Sequence, residues 1–267
     1  MSGTLACAAA ALISFLAYRR HSLTASGALS AALLGTIVVV AGGWWWGALL
    51  VTFFVTSSAL SKTRRSRPDP IAARGQRRDA IQVLANGGVA GLCALLAAIG
   101  HRDLFFAAFA GAIAAATADT WATELGRFSR RPPRLLTTGR VVNAGTSGAV
   151  SLLGSLASVL GALSIGALAT GIVALGLTDY SPRPLALGFA VGAAGMAGSI
   201  MDSLLGATLQ AAYTCPARGL PAEVRLHCQT TPTLLTRGQH WLTNDVVNGF
   251  ATLTGALLAA SVVVITR

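Results

Sequence analysis

Residues 114–148 read AAATADTWATELGRFSRRPPRLLTTGRVVNAGTSG. An alanine-rich apolar helix runs into two acids, Asp119 and Glu124. An arginine-rich turn with Arg127, Arg130, Arg131, Arg134 and Arg140 follows, and then a run of glycine and hydroxyl residues. A carboxylate at the mouth of a hydrophobic span is costly unless it holds a cation or a partner. Acids suited to a hard cation, beside arginines suited to an anion, point to a phosphate-bearing substrate handled with Mg²⁺. The rest of the chain is expected to complete that site.

Working outward, 54% of the 267 residues are hydrophobic and 11% are charged. Several apolar runs approach the length that crosses about 30 Å of hydrocarbon. The chain is expected to be an all-α polytopic transmembrane bundle forming a single membrane domain over 1–267. Eight spans are expected, near 4–18, 24–41, 44–60, 81–99, 103–122, 147–176, 185–210 and 245–265. No basic region precedes the first run and no small-residue cleavage site follows it, so it reads as a retained span. The net charge of +11 reflects basic residues between spans, a pattern of membrane orientation rather than of nucleic-acid binding.

Arg19 and Arg20, Lys62 to Arg78, Arg127 to Arg140, and Arg218, Arg225 and Arg237 follow the odd-numbered spans, against Arg102, Arg183 and Arg267 on the opposite side. The positive-inside rule then puts both termini outside and the basic loops, chiefly 61–80, 127–145 and 211–243, in the cytoplasm. This implies the cell's inner (plasma) membrane, with the site facing the cytoplasm. Asp119, Glu124, Asp202 and Asp245 all fall at the same end of their spans. A charge costs about 2.5 to 3.5 kcal/mol at mid-membrane and less near the interface, so four acids gathered on one side imply a task.

Asp119 and Thr123 share a helix face, whereas Glu124 points elsewhere and either joins the ion through a loosened helix near Gly126 or holds a neighbouring arginine. Gly188, Gly192, Gly195, Gly198, Asp202 and Gly206 recur every three or four residues, a smooth stripe for close helix approach that carries a carboxylate. Two helix starts suit phosphate: Gly145, Thr146, Ser147 and Gly148 opening the sixth span after Thr138 and Arg140, and Asn86 with Gly87 and Gly88 after Arg78. Cys215, His227, Cys228 and His240 in the last loop offer a weak zinc set without a C-x-x-C pair. Trp44, Trp45 and Trp46 read as an interfacial anchor. The segments 119–126 and 202–206 echo each other weakly, as a duplicated half or as two similar packing surfaces.

The runs SLTASG (22–27), QVLANGG (82–88), ADTWATELG (118–126), GTSG (145–148), GSIMDSLLGATLQ (198–210) and NDVVN (244–248) resemble the signature blocks of the phytyl-phosphate kinase family, membrane proteins formerly catalogued as a domain of unknown function. The layout is more distantly similar to that of dolichol and phytol kinases and of CDP-diglyceride synthases. The resemblance implies phosphorylation of an isoprenoid monophosphate to its diphosphate, with CTP or another nucleoside triphosphate as donor and Mg²⁺ as cofactor. Asp119, Glu124, Asp202 and Asp245 are then the catalytic acids, with Asp119, Asp202 and Asp245 as metal ligands. Arg78, Asn86, Arg127, Thr138, Arg140, Gly145, Thr146, Ser147, Asn244 and Asn248 are expected to bind nucleotide and phosphate, and the lipid tail to lie along the glycine-lined spans. The alternatives are a nucleotidyltransferase forming a CDP-lipid and a lipid or ion transporter. Glycine stripes also suit a homo-oligomer.

Overall fold

The computed structural model describes residues 2–63, 77–178, 183–216, 220–222, 226–227 and 231–266. The apolar sequence folds into eight helices: α1 (Ser2–Arg19), α2 (Ala25–Ala41), α3 (Trp44–Thr63), α4 (Ala80–Ile99), α5 (Arg102–Gly126), α6 (Leu152–Ala174), α7 (Pro184–Thr208) and α8 (Asn244–Thr266). Among the described residues these are the eight helices, and short strands occur in the connections α5–α6 and α7–α8 alone. Between α5 and α6, β1 (Arg134–Leu135) and β2 (Ala149–Val150) form an antiparallel ribbon. Between α7 and α8, β3 (Ala212–Cys215) lies between β4 (Leu220–Ala222) and β7 (Leu234–Arg237), while β5 (Leu226–His227) pairs with β6 (Thr231–Pro232).

Helices α3 to α8 are each long and apolar enough to cross a membrane. At 1.5 Å per residue, the 17 residues of α2 reach about 26 Å, short of the about 30 Å of hydrocarbon. The expected eight spans are thus eight helices, six of which meet the length for crossing. Large apolar side chains such as Phe189, Leu257 and Ile99 are exposed on the bundle, as suits a surface covered by lipid.

The organising helix is α5. Of its span 72% is buried, against at most 50% in the other five long helices, and it touches α3, α4, α6, α7 and α8. Its small side chains make this possible: Ala107 to Ala118 are buried almost without a break, and alanine lets neighbouring axes approach while keeping high helix propensity. At Gly111 an added Cβ would meet the Gly255 carbonyl and Ala259, and at Gly255 it would meet Gly111 in return, so α5 and α8 cross backbone to backbone.

The α7 stripe serves several partners in succession. A Cβ at Gly188 would strike Thr170 and Gly166 of α6, and one at Gly192 would strike Leu163. At Gly195 it would lie 2.7 Å from Ala114 of α5, and at Gly198 it would lie 2.6 Å from the Ala251 carbonyl of α8. The expectation of a lipid tail along these glycines therefore fails, because helices already fill that face.

Two further corrections concern local structure. The sixth helix does not open at the GTSG run. Gly145 and Gly148 adopt φ of +87° and +77°, outside the helical region, and the helix begins at Leu152 with Ser151 as its cap, the Gly154 N–H donating to Ser151 Oγ at 3.1 Å. At Gly148 a Cβ would collide with the backbone of Ala207 at the end of α7, so the turn is wedged against α7. In the tryptophan triplet only Trp44 and Trp45 are exposed. Trp46 is buried against Phe106 and Phe109, ring centroids 5.2 and 4.9 Å away, so it is core rather than anchor.

The packing has a measurable consequence. Gly195→Val should lower stability by about 1–3 kcal/mol through overpacking at Ala114. Gly88→Ala, where an added Cβ meets nothing within 4 Å, should be neutral or slightly stabilising. Thermal unfolding of both variants in detergent checks the contrast.

Candidate functional site

One end of the bundle gathers the even-numbered helices by their N-termini and α5 and α7 by their C-terminal turns. Local chemistry fixes each end. Helix α4 starts with a capping box in which the Gln82 N–H donates to Asp79 Oδ1 at 3.0 Å and the Asp79 N–H donates to Gln82 Oε1 at 3.1 Å. Ser151 caps α6 and also donates to the Gly126 carbonyl at 3.4 Å, tying the start of α6 to the end of α5. The start of α8 is held by the Ala211 N–H donating to the Leu242 carbonyl at 3.0 Å.

A cavity of about 1160 Å³ opens at this end, above the usual 300–1,000 Å³ of a small-molecule site. Of the residues expected from the sequence, Asp119, Asp202, Asp245, Arg127, Gly145, Thr146, Ser147 and Asn244 line it. Asp119 and Asp202 interact electrostatically across the α5–α7 contact, and Asp202 Oδ2 is buried without a hydrogen-bond partner. Both carboxylates lie in the C-terminal halves of their helices, about two turns inside the ends, whereas the starts of α4, α6 and α8 favour anions. A cation at the acids with an anion toward the helix starts satisfies both.

The cavity does not assemble three carboxylates around one point. Among the described residues no group of three His, Cys, Asp or Glu side chains is placed to hold a metal ion. The expected triad of Asp119, Asp202 and Asp245 thus reduces to an interacting pair, with Asp245 elsewhere on the lining of the same cavity. Mg²⁺ is commonly held by one or two carboxylates, with waters and substrate phosphates completing its shell. The pair, with its unpartnered buried oxygen, fits that pattern.

Glu124 faces elsewhere. It is buried, its Oε1 accepts from Ser61 Oγ at 2.8 Å, and its charge acts on Arg78. Of the two arrangements open to it, the structure has the one that sets Glu124 near an arginine, through charge alone: its Oε2 is buried with no hydrogen-bond partner among the described residues, and Glu124 is absent from the cavity wall. Arg78 is also outside the cavity: burial lowers the pKa of its guanidinium, Glu124 opposes that shift, and the group lies over the Phe53 ring at 5.7 Å. Its backbone fastens the α1–α2 corner, with the Arg78 N–H donating to Ser22 and the Thr24 N–H donating to the Arg78 carbonyl, both at 3.0 Å. An added Cβ at Gly27 would strike that carbonyl, which accounts for the SLTASG run as structure.

Asn86 lies on a separate apolar pocket, its Nδ2 donating to the Gln82 carbonyl at 2.9 Å. Thr138, Arg140 and Asn248 are not on the cavity wall. The GTSG turn lines the cavity as a turn, with the Thr146 N–H donating to Asn143 and the Ala149 N–H donating to Thr146. Arg237 of β7 steadies it by donating to the Ser147 and Gly206 carbonyls, and burial lowers the pKa of that guanidinium. In the zinc set, Cys228 lies outside the described residues. His240 lines the cavity, its Nδ1 lying 3.3 Å from the Tyr213 hydroxyl.

Other residues on the wall were not picked out as a site from the sequence. Ser151, Ser155 and Ser158 line the start of α6, and Ser199 and Ser203 flank Asp202 on α7. The available signal is hydroxyls recurring every three or four residues in otherwise apolar helices, which places them on one face. Gln82, Arg130, Arg131 and Tyr213 also line the cavity.

Comparison with known proteins adds to this geometry. The family description "Integral membrane protein DUF92" matches residues 8–256. The chain is 34% identical to Protein PGR of Arabidopsis thaliana over 227 residues, 78% of each chain. It is 41% identical to an uncharacterized membrane protein of Methanocaldococcus jannaschii over 128 residues, 48% of this chain and 50% of that one. It is 26% identical to Protein VTE6, chloroplastic, of Arabidopsis thaliana over 245 residues, 89% of this chain and 64% of that one. No solved structure matches the chain. With nearly its whole length matched, the chain belongs to the DUF92 family of integral membrane proteins.

Proposed function

We propose that this protein is a membrane-embedded kinase that transfers a phosphoryl group from a nucleoside triphosphate, CTP by resemblance, to an isoprenyl monophosphate such as the phytyl, farnesyl or geranylgeranyl ester. The observation that carries the reading is the interacting pair Asp119 and Asp202 in a large polar cavity whose other walls are helix N-termini and arginines. Cations suit the first and phosphates the second.

Bound Mg²⁺, held by Asp119 and Asp202, would supply charge neutralisation on the phosphates. The chain's own groups do the rest. Arg127, Arg130 and Arg131, on the connection that follows α5, neutralise and orient the donor's phosphates. Ser155 and the start of α6 bind phosphate oxygens, and Asn244 and Asp245 line the cavity from the start of α8. The acceptor is a phosphate monoester with its second pKa near 6, largely ionised at neutral pH. Alignment and charge compensation therefore matter more than proton abstraction, and the cavity needs no strong base. A transporter coupling ions through these acids would need no anion site beside them, whereas Arg127, Arg130 and Arg131 line the same cavity. The positive-inside rule applied to the basic loops supports a cytoplasmic setting for that end of the bundle.

Three outcomes follow from this reading. Purified protein with Mg²⁺, a nucleoside triphosphate and an isoprenyl monophosphate should yield isoprenyl diphosphate and nucleoside diphosphate. Release of pyrophosphate with a CDP-lipid would instead make it a nucleotidyltransferase using the same cavity. Asp119→Asn and Asp202→Asn should each reduce turnover by about 10²-fold or more while leaving unfolding unchanged or shifted upward, since each removes one of two like charges. Glu124→Gln should keep turnover within about tenfold of the parent yet unfold earlier, because it leaves the Arg78 guanidinium without its counter-charge. Turnover and thermal scans on the same preparations separate the two classes.

A further inference from the structure

A second compartment lies beside the polar cavity, enclosed by α1, α2, α3 and α4, with a volume of about 300 Å³. Its character is opposite. Leu34, Phe53 and Trp44 are among its walls; Arg78, Gln82 and Asn86 line one end, and Ser14 lines it from α1. Gln82 lines both compartments, so the two meet at the first turn of α4. From there the pocket runs along α3 from Phe54 back to Trp44, about 15 Å at 1.5 Å per residue. The Ser61–Glu124 bond puts the C-terminal end of α3 beside the acid end of α5, so the pocket leads away from the polar cavity toward the opposite face of the bundle.

We propose that this pocket holds the hydrocarbon chain of the acceptor lipid while its phosphate lies in the polar cavity, with Gln82 at the passage between them. The assignment rests on the kinase reading and specifies how its acceptor is recognised. Three features choose the occupant. The volume lies at the lower end for small-molecule pockets and fits one chain rather than a two-tailed phospholipid. A lining that is mostly apolar along its length suits an unsubstituted hydrocarbon. The polar side chains of Arg78, Gln82 and Asn86 at the end nearest the cavity suit a polar head at that end. The glycine stripe of α7 is closed by helices, so it does not compete for the tail. Gln82 is a positioning residue: its side chain is fixed by the capping box with Asp79, which holds the passage at a set width.

The test is photolabelling of the full chain in nanodiscs with an isoprenyl monophosphate bearing a diazirine at the tail end, mapped by peptide sequencing. Labels should concentrate on the facing sides of α1 to α3 and be displaced by unlabelled isoprenyl monophosphate, not by excess phosphatidylcholine. Ala48→Phe, which narrows the pocket from α3, should reduce that labelling about tenfold, as for two methylenes left outside. Turnover on a five-carbon acceptor should be retained, which also reports that the variant is folded. Labels spread over the outward faces of all helices, or displaced equally by phosphatidylcholine, would overturn the assignment. Failure of the kinase reading has a separate signature: no diphosphate product from parent protein, whatever the labelling pattern.

Discussion

Two carboxylates held side by side near the ends of neighbouring helices set the terms for this molecule. Asp119 and Asp202 carry like charge inside an apolar bundle and include a buried oxygen with no hydrogen-bond partner among the described residues. Such an arrangement is destabilising unless a cation is part of the working state. Around it the fold supplies what a cation-bound polyanion needs, namely the starts of α4, α6 and α8, and the arginines after α5. One charge pattern thus connects helix polarity, topology and substrate class.

Placing those carboxylates together depends on small residues. If α5 carried ordinary side chains it could not be surrounded by five helices, and α7 could not bring Asp202 next to Asp119. The contacts at Gly195 and Gly198 lie within two turns of Asp202, and those at Gly206 and Gly148 lie just beyond it. The same packing excludes the lipid from the α7 face and leaves the less tightly filled α1 to α4 side as the apolar compartment. Dense packing at one side of the bundle and a gap at the other are two aspects of one distribution of residue size.

Much of this was legible in the sequence. Hydrophobic length gave eight helices because the span signal is strong and long, and most boundaries agree within a few residues. The family resemblance rested on ordered runs covering nearly the whole chain, and the match over 8–256 accords with it. Parity of the spans put Asp119, Glu124, Asp202 and Asp245 at one end of the bundle, and of these Asp119, Asp202 and Asp245 line one cavity. What escaped was whatever depends on the direction of a side chain or on backbone conformation. GTSG looked like a helix start, but positive φ at Gly145 and Gly148 makes it a turn. Glu124 had two possible directions, and only the position of Arg78 in space decides between them. The serine faces of α6 and α7 do not stand out in the sequence, because a hydroxyl in a membrane helix often bonds its own backbone. Trp46 was grouped with its neighbours although one step along a helix turns a side chain by about 100°.

The central claim is that Asp119 and Asp202 hold a cation through which nucleotide phosphates bind. Titration calorimetry of CTP into the protein with and without Mg²⁺, compared with the Asp119→Asn/Asp202→Asn double variant, addresses it directly. The account requires Mg²⁺-dependent binding in the parent that is lost in the folded double variant. Equal affinity in both proteins, or binding indifferent to Mg²⁺, would contradict it.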